Sequence, residues 1–127
     1  MIKLTYCLRR KQGMSWEEFS TYWRDVHAPL VAERAEMLGI RRYQQVRTVQ
    51  NASLHEAFQR RNDGAPEPYD GIAEIWYEDL ESFSRARGDD ARTAGRELLE
   101  DERNFINLSA SPMWVGEEWE VVNRSES

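Results

Sequence analysis

This sequence predicts an α+β domain with one antiparallel sheet in the βαββαβ order of the ferredoxin-like class. Three observations carry that expectation. Ile2, Leu4, Tyr6 and Leu8 alternate with Lys3, Thr5, Cys7 and Arg9, the period of a strand. Ser15 and Glu18 have the spacing of a capping box and open an amphipathic helix at Trp16. Beyond it, two strand-like segments run in succession before a pair of helical segments and a last strand.

The capped helix follows the turn Lys11-Gln12-Gly13-Met14. Phe19, Tyr22, Trp23, Val26, His27 and Leu30 form one stripe at the helical period. Pro29 lacks an N–H and clashes with the Asp25 carbonyl, so the helix is expected to end or kink beside His27. A second helical piece runs over about Leu30–Leu38, and Gly39 fits the position just past its end. Ile40–Val49 reads as the second strand. Asn51–Tyr69 is expected to be mostly loop, with room for a short helix over Leu54–Arg61. Ile72–Tyr77 reads as the third strand and Asp79–Arg87 as a short helix. From about Ala91 to Asn107 a longer helix presents Leu98, Leu99, Glu102, Phe105 and Ile106 inward. Met113–Val122 is expected to be the last strand. Residues 1–122 thus form a single domain, and residues 123–127 a frayed tail.

The third strand is apolar on both faces, with Ile72 and Trp76 against Ala73, Ile75 and Tyr77. The fourth likewise sets Trp114 and Val122 against Met113, Val115, Trp119 and Val121. Helices cover one face of such a sheet, so the other is expected to pack against a second copy in a homodimer. The 17 Lys and Arg against 23 Asp and Glu give a net charge of −6, which argues against a nucleic-acid partner. No segment approaches the ~20 apolar residues of a membrane span, and the expectation is a cytoplasmic protein. The single cysteine, Cys7, rules out an internal disulfide and reads as a small core residue. No pair of histidines has ligand spacing and no glycine-rich phosphate motif occurs, so neither a metal nor a cofactor is expected.

His27 is the focus of the chemistry. A neutral imidazole both gives and takes a proton near pH 7, and this one lies on the apolar face of its helix. The bland reading is a core histidine held by a backbone carbonyl. Tyr6, Tyr22 and Tyr43 offer phenols, although tyrosine is also ordinary core material. Asp25, on the far side of the helix, is read as solvated. Glu74 is read as an ion-pair partner of Lys3 or of an arginine in the second strand, and His55 as a surface residue.

The segments IKLTYCLRR, FSTYWRDVHAPLV, YDGIAEIWYEDLE and DERNFINLSASPMWVGEEWEVV together resemble the EthD family, named for ethyl tert-butyl ether degradation. The resemblance runs through nearly the whole chain and implies a dimeric α+β barrel. It also implies a ligand cleft between helices and sheet, with His27 in the H-x-P-L position and Tyr43 at the start of the second strand as its functional groups. The expected function is that of a cofactor-free enzyme on a small aromatic or polyketide-like carbonyl compound, of isomerase, cyclase or decarboxylase type. His27 would be the general acid/base, Tyr43 and Tyr6 would steady the oxyanion, and Phe19, Tyr22, Trp23, Trp76 and Trp114 would line the substrate site. Two other readings remain open: a non-catalytic carrier of a hydrophobic metabolite, and a cofactor-independent monooxygenase.

Overall fold

The computed structural model describes residues 1–85 and 88–125. Four strands, β1 (Ile2–Leu8), β2 (Arg42–Arg47), β3 (Gly71–Tyr77) and β4 (Met113–Glu117), form one antiparallel sheet in the order β2-β3-β1-β4. Helices α1 (Trp16–Tyr22) and α2 (Ala28–Arg34) connect β1 to β2, α3 (Ala52–Arg61) connects β2 to β3, and α4 (Leu80–Arg85) with α5 (Asp89–Glu102) connect β3 to β4. This is the predicted ferredoxin-like order, with α3 added. The Asn51 side chain caps α3 by accepting from the Leu54 amide, so most of the expected loop is helical. Residues 86 and 87 of the expected Asp79–Arg87 helix, and residues 126 and 127 of the tail, lie outside the described residues.

The capping box forms as the sequence dictates: Ser15 Oγ accepts from the Glu18 amide and Glu18 accepts from the Ser15 amide. Pro29 does not end the helix. Between α1 and α2 the chain makes one π-helical turn, Trp23–His27, in which the Ala28 amide bonds the Trp23 carbonyl. The widened turn shifts the hydrogen-bond register ahead of the proline, which then occupies the first turn of α2, where no N–H is required. The second helical piece stops at Arg34 rather than Leu38, so Gly39, at φ +73°, closes the turn that follows α2 instead of capping the helix itself.

Register decides which side of each strand meets the helices. Tyr6 pairs with Ala73 and Leu4 with Ile75, and Tyr6, Leu8 and Ala73 pack under Phe19, Trp23, Phe105 and Ile106. Gly71 is required where Trp23 crosses β3, because a Cβ there would lie 2.6 Å from the indole. On the other face the sheet is more polar than expected. Lys3 Nζ pairs with Glu74 at 2.7 Å and Gln44 donates to the same carboxylate at 3.2 Å. Lys3 and Arg42 lie over the Trp76 ring, and Trp76 Nε1 donates to Glu118 at 2.5 Å.

Two expectations change. The last strand stops at Glu117 because its partner there is Ile2, where β1 begins. Trp119, Val121 and Val122 therefore lie beyond the sheet, at 93 %, 88 % and 73 % exposure. The long helix spans Asp89–Glu102 rather than Ala91–Asn107, and Leu99 on it is exposed.

Candidate functional site

A cavity of about 90 Å³ lies between the helices and the sheet. Its polar walls are His27, Tyr6, Tyr43, Tyr77 and Glu102, set among apolar residues that include Trp23, Val31, Ile40 and Ile75. Among the described residues no lysine or arginine lines it.

His27 is buried against Phe105, with ring centroids 5.0 Å apart. Its Nδ1 lies 2.8 Å from Asp101 Oδ2. An ionised carboxylate only accepts, so Nδ1 carries the proton and Nε2 keeps its lone pair. Burial holds the imidazole below its usual range, against the pull of Asp101, and it is neutral near pH 7. Among the described residues no buried side-chain nitrogen or oxygen lacks a partner. Nε2 has none among the described residues and is therefore the accessible nitrogen.

Asp101 is held in turn. Tyr22 Oη donates to Oδ1 at 2.6 Å, and Asn104 Nδ2 reaches the Tyr22 hydroxyl at 3.1 Å and Oδ1 at 3.3 Å. Burial raises the carboxyl, but the hydrogen bonds from Tyr22 and His27 outweigh it and keep Asp101 below the ordinary carboxylate range. On the sheet side Tyr6 Oη donates to Glu102 Oε1 at 2.9 Å. Burial raises Glu102, with Asp101 adding to it and the Tyr6 bond opposing. Burial also raises the Tyr6 phenol, and its hydrogen bond to Glu102 adds to it. Tyr43 Oη accepts from Gln45 Nε2 at 3.0 Å, which leaves its own proton free to donate. Burial raises the Tyr43 phenol as well.

Of the eight expected site residues, His27, Tyr6, Tyr43 and Trp23 line the cavity. Phe19 is fully buried beneath it, packed on Trp23 and Phe105. Tyr22 serves the site through Asp101 rather than as a wall. Trp76 and Trp114 do not reach it. Trp76 pairs with Lys3 and Trp114 with Thr5, positions that alternate with the inward Leu4 and Tyr6, so both indoles belong to the opposite face. Asp25 is exposed and paired with Arg24, Glu74 takes Lys3, and His55 lies on α3 with Nε2 bonding the Val49 carbonyl at 2.6 Å.

Asp101 and Glu102 are the residues that motif reading missed. Both left a trace: Glu102 lies four residues from Leu98, and Asp101 three from Leu98 and four from Phe105, on the inward side of α5. Among the described residues no three His, Cys, Asp or Glu side chains gather to hold a metal ion. No helix of the described residues is long and apolar enough to cross a membrane.

Known proteins agree with this architecture. A decarboxylase of Claviceps purpurea is 28% identical over 116 residues, covering 89% of this chain and 79% of its own. A dehydratase of Gibberella zeae is 26% identical over 125 residues, covering 97% and 80%. The crystal structure of an EthD family protein from Bacillus halodurans aligns with a TM-score of 0.61 at 23% identity, over 94% of this chain and 99% of that one. A protein of Bacteroides fragilis, described as dimeric and ferredoxin-like, gives 0.56 at 11% identity, over 92% and 95%. At such identities the structures speak to the fold alone. The EthD domain matches residues 11–109, from the turn before α1 to the end of α5 and beyond, and the chain belongs to the EthD domain family.

Proposed function

We infer that this protein is a cofactor-free enzyme that moves a proton next to a carbonyl group of a small aromatic or polyketide-like compound, with His27 as the general base. The observation that carries this is the state of His27: a neutral imidazole fixed by Asp101 through Nδ1, with Nε2 free at a mostly apolar cavity. The relatives named decarboxylase and dehydratase support it. Loss of CO₂ from a β-keto acid passes through an enol, and loss of water from a β-hydroxy ketone begins by forming one. Both need a proton carrier at carbon and a donor at oxygen. Tyr43, whose hydroxyl proton is not taken up by Gln45, is placed to donate to that oxygen.

At about 90 Å³ the cavity is smaller than the ~300–1,000 Å³ of a typical ligand pocket, so binding requires its walls to move apart. The homodimer fits the same reading, with Val46, Trp114 and the segment after β4 as the exposed apolar surface left for a second copy. Sedimentation at micromolar concentration returning only the monomer would remove the dimer.

His27→Gln tests the function. In an enzyme of this kind turnover falls by about 10²–10⁴ while binding of the aromatic ligand persists. Unchanged turnover refutes the role of His27. Ligand binding with no turnover in the wild type points to a carrier, and oxygen uptake with a dihydroxyaromatic substrate to a monooxygenase.

A further inference from the structure

The site must meet the charge that develops on the substrate oxygen, and it has no cation with which to do so. Among the described residues the walls contain no lysine or arginine, and His27 Nδ1 is committed to Asp101. What remains is proton donation from Tyr6, Tyr43, Tyr77 or Glu102, and burial makes all three phenols weaker acids still. Tyr6 already spends its hydroxyl proton on Glu102, and Tyr43 can offer a hydrogen bond. Glu102 Oε1 is occupied by Tyr6, whereas Oε2 has no partner among the described residues.

We propose that Glu102 is the general acid of this site, giving its proton to the carbonyl oxygen of the substrate while His27 Nε2 takes one from the adjacent carbon. This rests on the reading of His27 as base. The C–H electron pair becomes the new C=C bond, the carbonyl π pair moves to oxygen, and oxygen binds the Glu102 proton. The products are a neutral enol, an imidazolium held by Asp101 and a Glu102 carboxylate that keeps the Tyr6 hydrogen bond. The reverse transfers, at the same or another carbon, restore both residues. Because one charge of each sign forms inside the protein, the net charge of the cavity does not change. The class of compound that suits such a site is a carbonyl compound bearing an α-hydrogen.

The groups facing Glu102 favour a carboxyl that holds its proton. They are Tyr6 from β1, Tyr43 from β2, Tyr77 from β3, His27 from the π turn and the neighbouring Asp101. Asp101 is the only one of them ionised near pH 7, and it is negative. Burial and that charge both favour the protonated form of Glu102, and a carboxyl is a far stronger acid than the buried phenols around it.

The test follows exchange of the α-hydrogens of 1-tetralone in D₂O by NMR from pH 5 to 9, with wild type, His27→Gln, Glu102→Gln and Glu102→Asp. Gln keeps the shape and can accept from Tyr6, but it cannot release a proton. The expected wild-type profile is bell-shaped. Glu102→Gln loses the falling limb and about 10²-fold in rate at neutral pH, Glu102→Asp retains part of both, and His27→Gln exchanges no faster than buffer. If Glu102→Gln keeps the wild-type rate and profile, the acid assignment is overturned while the His27 reading stands. If His27→Gln retains full exchange, or the wild type catalyses none, the reading of the site as a proton-transfer centre fails and this proposal fails with it.

Discussion

Asp101→Asn is the sharpest probe of how His27 is held. Asp101 presents two acceptor oxygens: Oδ1 receives Tyr22 at 2.6 Å and Asn104 at 3.3 Å, and Oδ2 receives His27 at 2.8 Å. Asparagine replaces one oxygen with an NH₂ donor. If its oxygen stays with Tyr22 and Asn104, two donors remain satisfied, and the NH₂ faces His27. If it turns round, only His27 is satisfied and the Tyr22 proton loses its acceptor. The first arrangement therefore wins, and His27 must accept at Nδ1 and carry its proton on Nε2. Two short bonds also lose their charge assistance, worth about 1 kcal/mol each, so the expected loss of stability is about 1–2 kcal/mol. With the accessible nitrogen now a donor, proton abstraction falls by about 10²–10⁴ although the imidazole is still present. Imidazole ¹⁵N shifts report the tautomer, denaturant unfolding the stability and 1-tetralone exchange the rate. An Nδ1–H tautomer that persists alongside wild-type exchange would refute the assigned role of Asp101.

Three further outcomes follow from burial and charge. His27 titrates in the fold below its unfolded value of about 6.5, so its contribution to stability is complete above that pH and is lost as pH falls through the folded value. His27→Gln should flatten this acid limb in unfolding curves, and an unaltered limb would contradict the burial argument. Glu102 has the opposite sign: raised in the fold, it costs stability as pH rises through its folded value, so Glu102→Gln should raise Tm more at pH 8 than at pH 4.5, by calorimetry. Gly71→Ala would set a Cβ 2.6 and 2.9 Å from ring carbons of Trp23, which is 1 % exposed, and should cost about 1–3 kcal/mol in denaturant unfolding. A wild-type midpoint would show that the indole is free to shift.

Much of this layout was legible because local rules acted alone. The Ile2–Leu8 alternation and the Ser15–Glu18 capping box each depend on a few neighbouring residues, and each appears where the pattern puts it. What escaped depends on pairing across the chain. The parity of β3 set Ile72 and Trp76 apart from Ala73, Ile75 and Tyr77, but both sets are apolar, and only the Tyr6–Ala73 pairing reveals which faces the helices. Trp76 and Trp114 were misplaced for that reason. The length of β4 is set by where β1 begins, a matter of register that apolar content in Trp119–Val122 cannot disclose. The Glu74 partner was legible because Lys3 lies diagonally across the β1–β3 ladder. His27 was legible as an inward group, yet its partner lies 74 residues away.

That separation explains how the site is organised. Asp101 and Glu102 are adjacent on α5, about 100° apart around its axis, and they serve different layers. Asp101 grips the helix layer through Tyr22 and His27, while Glu102 grips the sheet through Tyr6. One rigid turn of helix thus fixes His27 and Glu102, the proposed base and acid, relative to each other. Pro29 completes the arrangement from the other side. Because the π turn absorbs the missing N–H, the chain stays helical past His27 and Val31 of α2 closes the cavity beside it. An ended helix would have left His27 on a flexible connection, where neither a fixed tautomer nor a neutral, desolvated ring could be maintained. The proline break and the inward histidine are therefore two parts of one device. The first sits directly after the wide turn, and α5 fixes the tautomer of the second through Asp101, which leaves the lone pair that the proposed base needs.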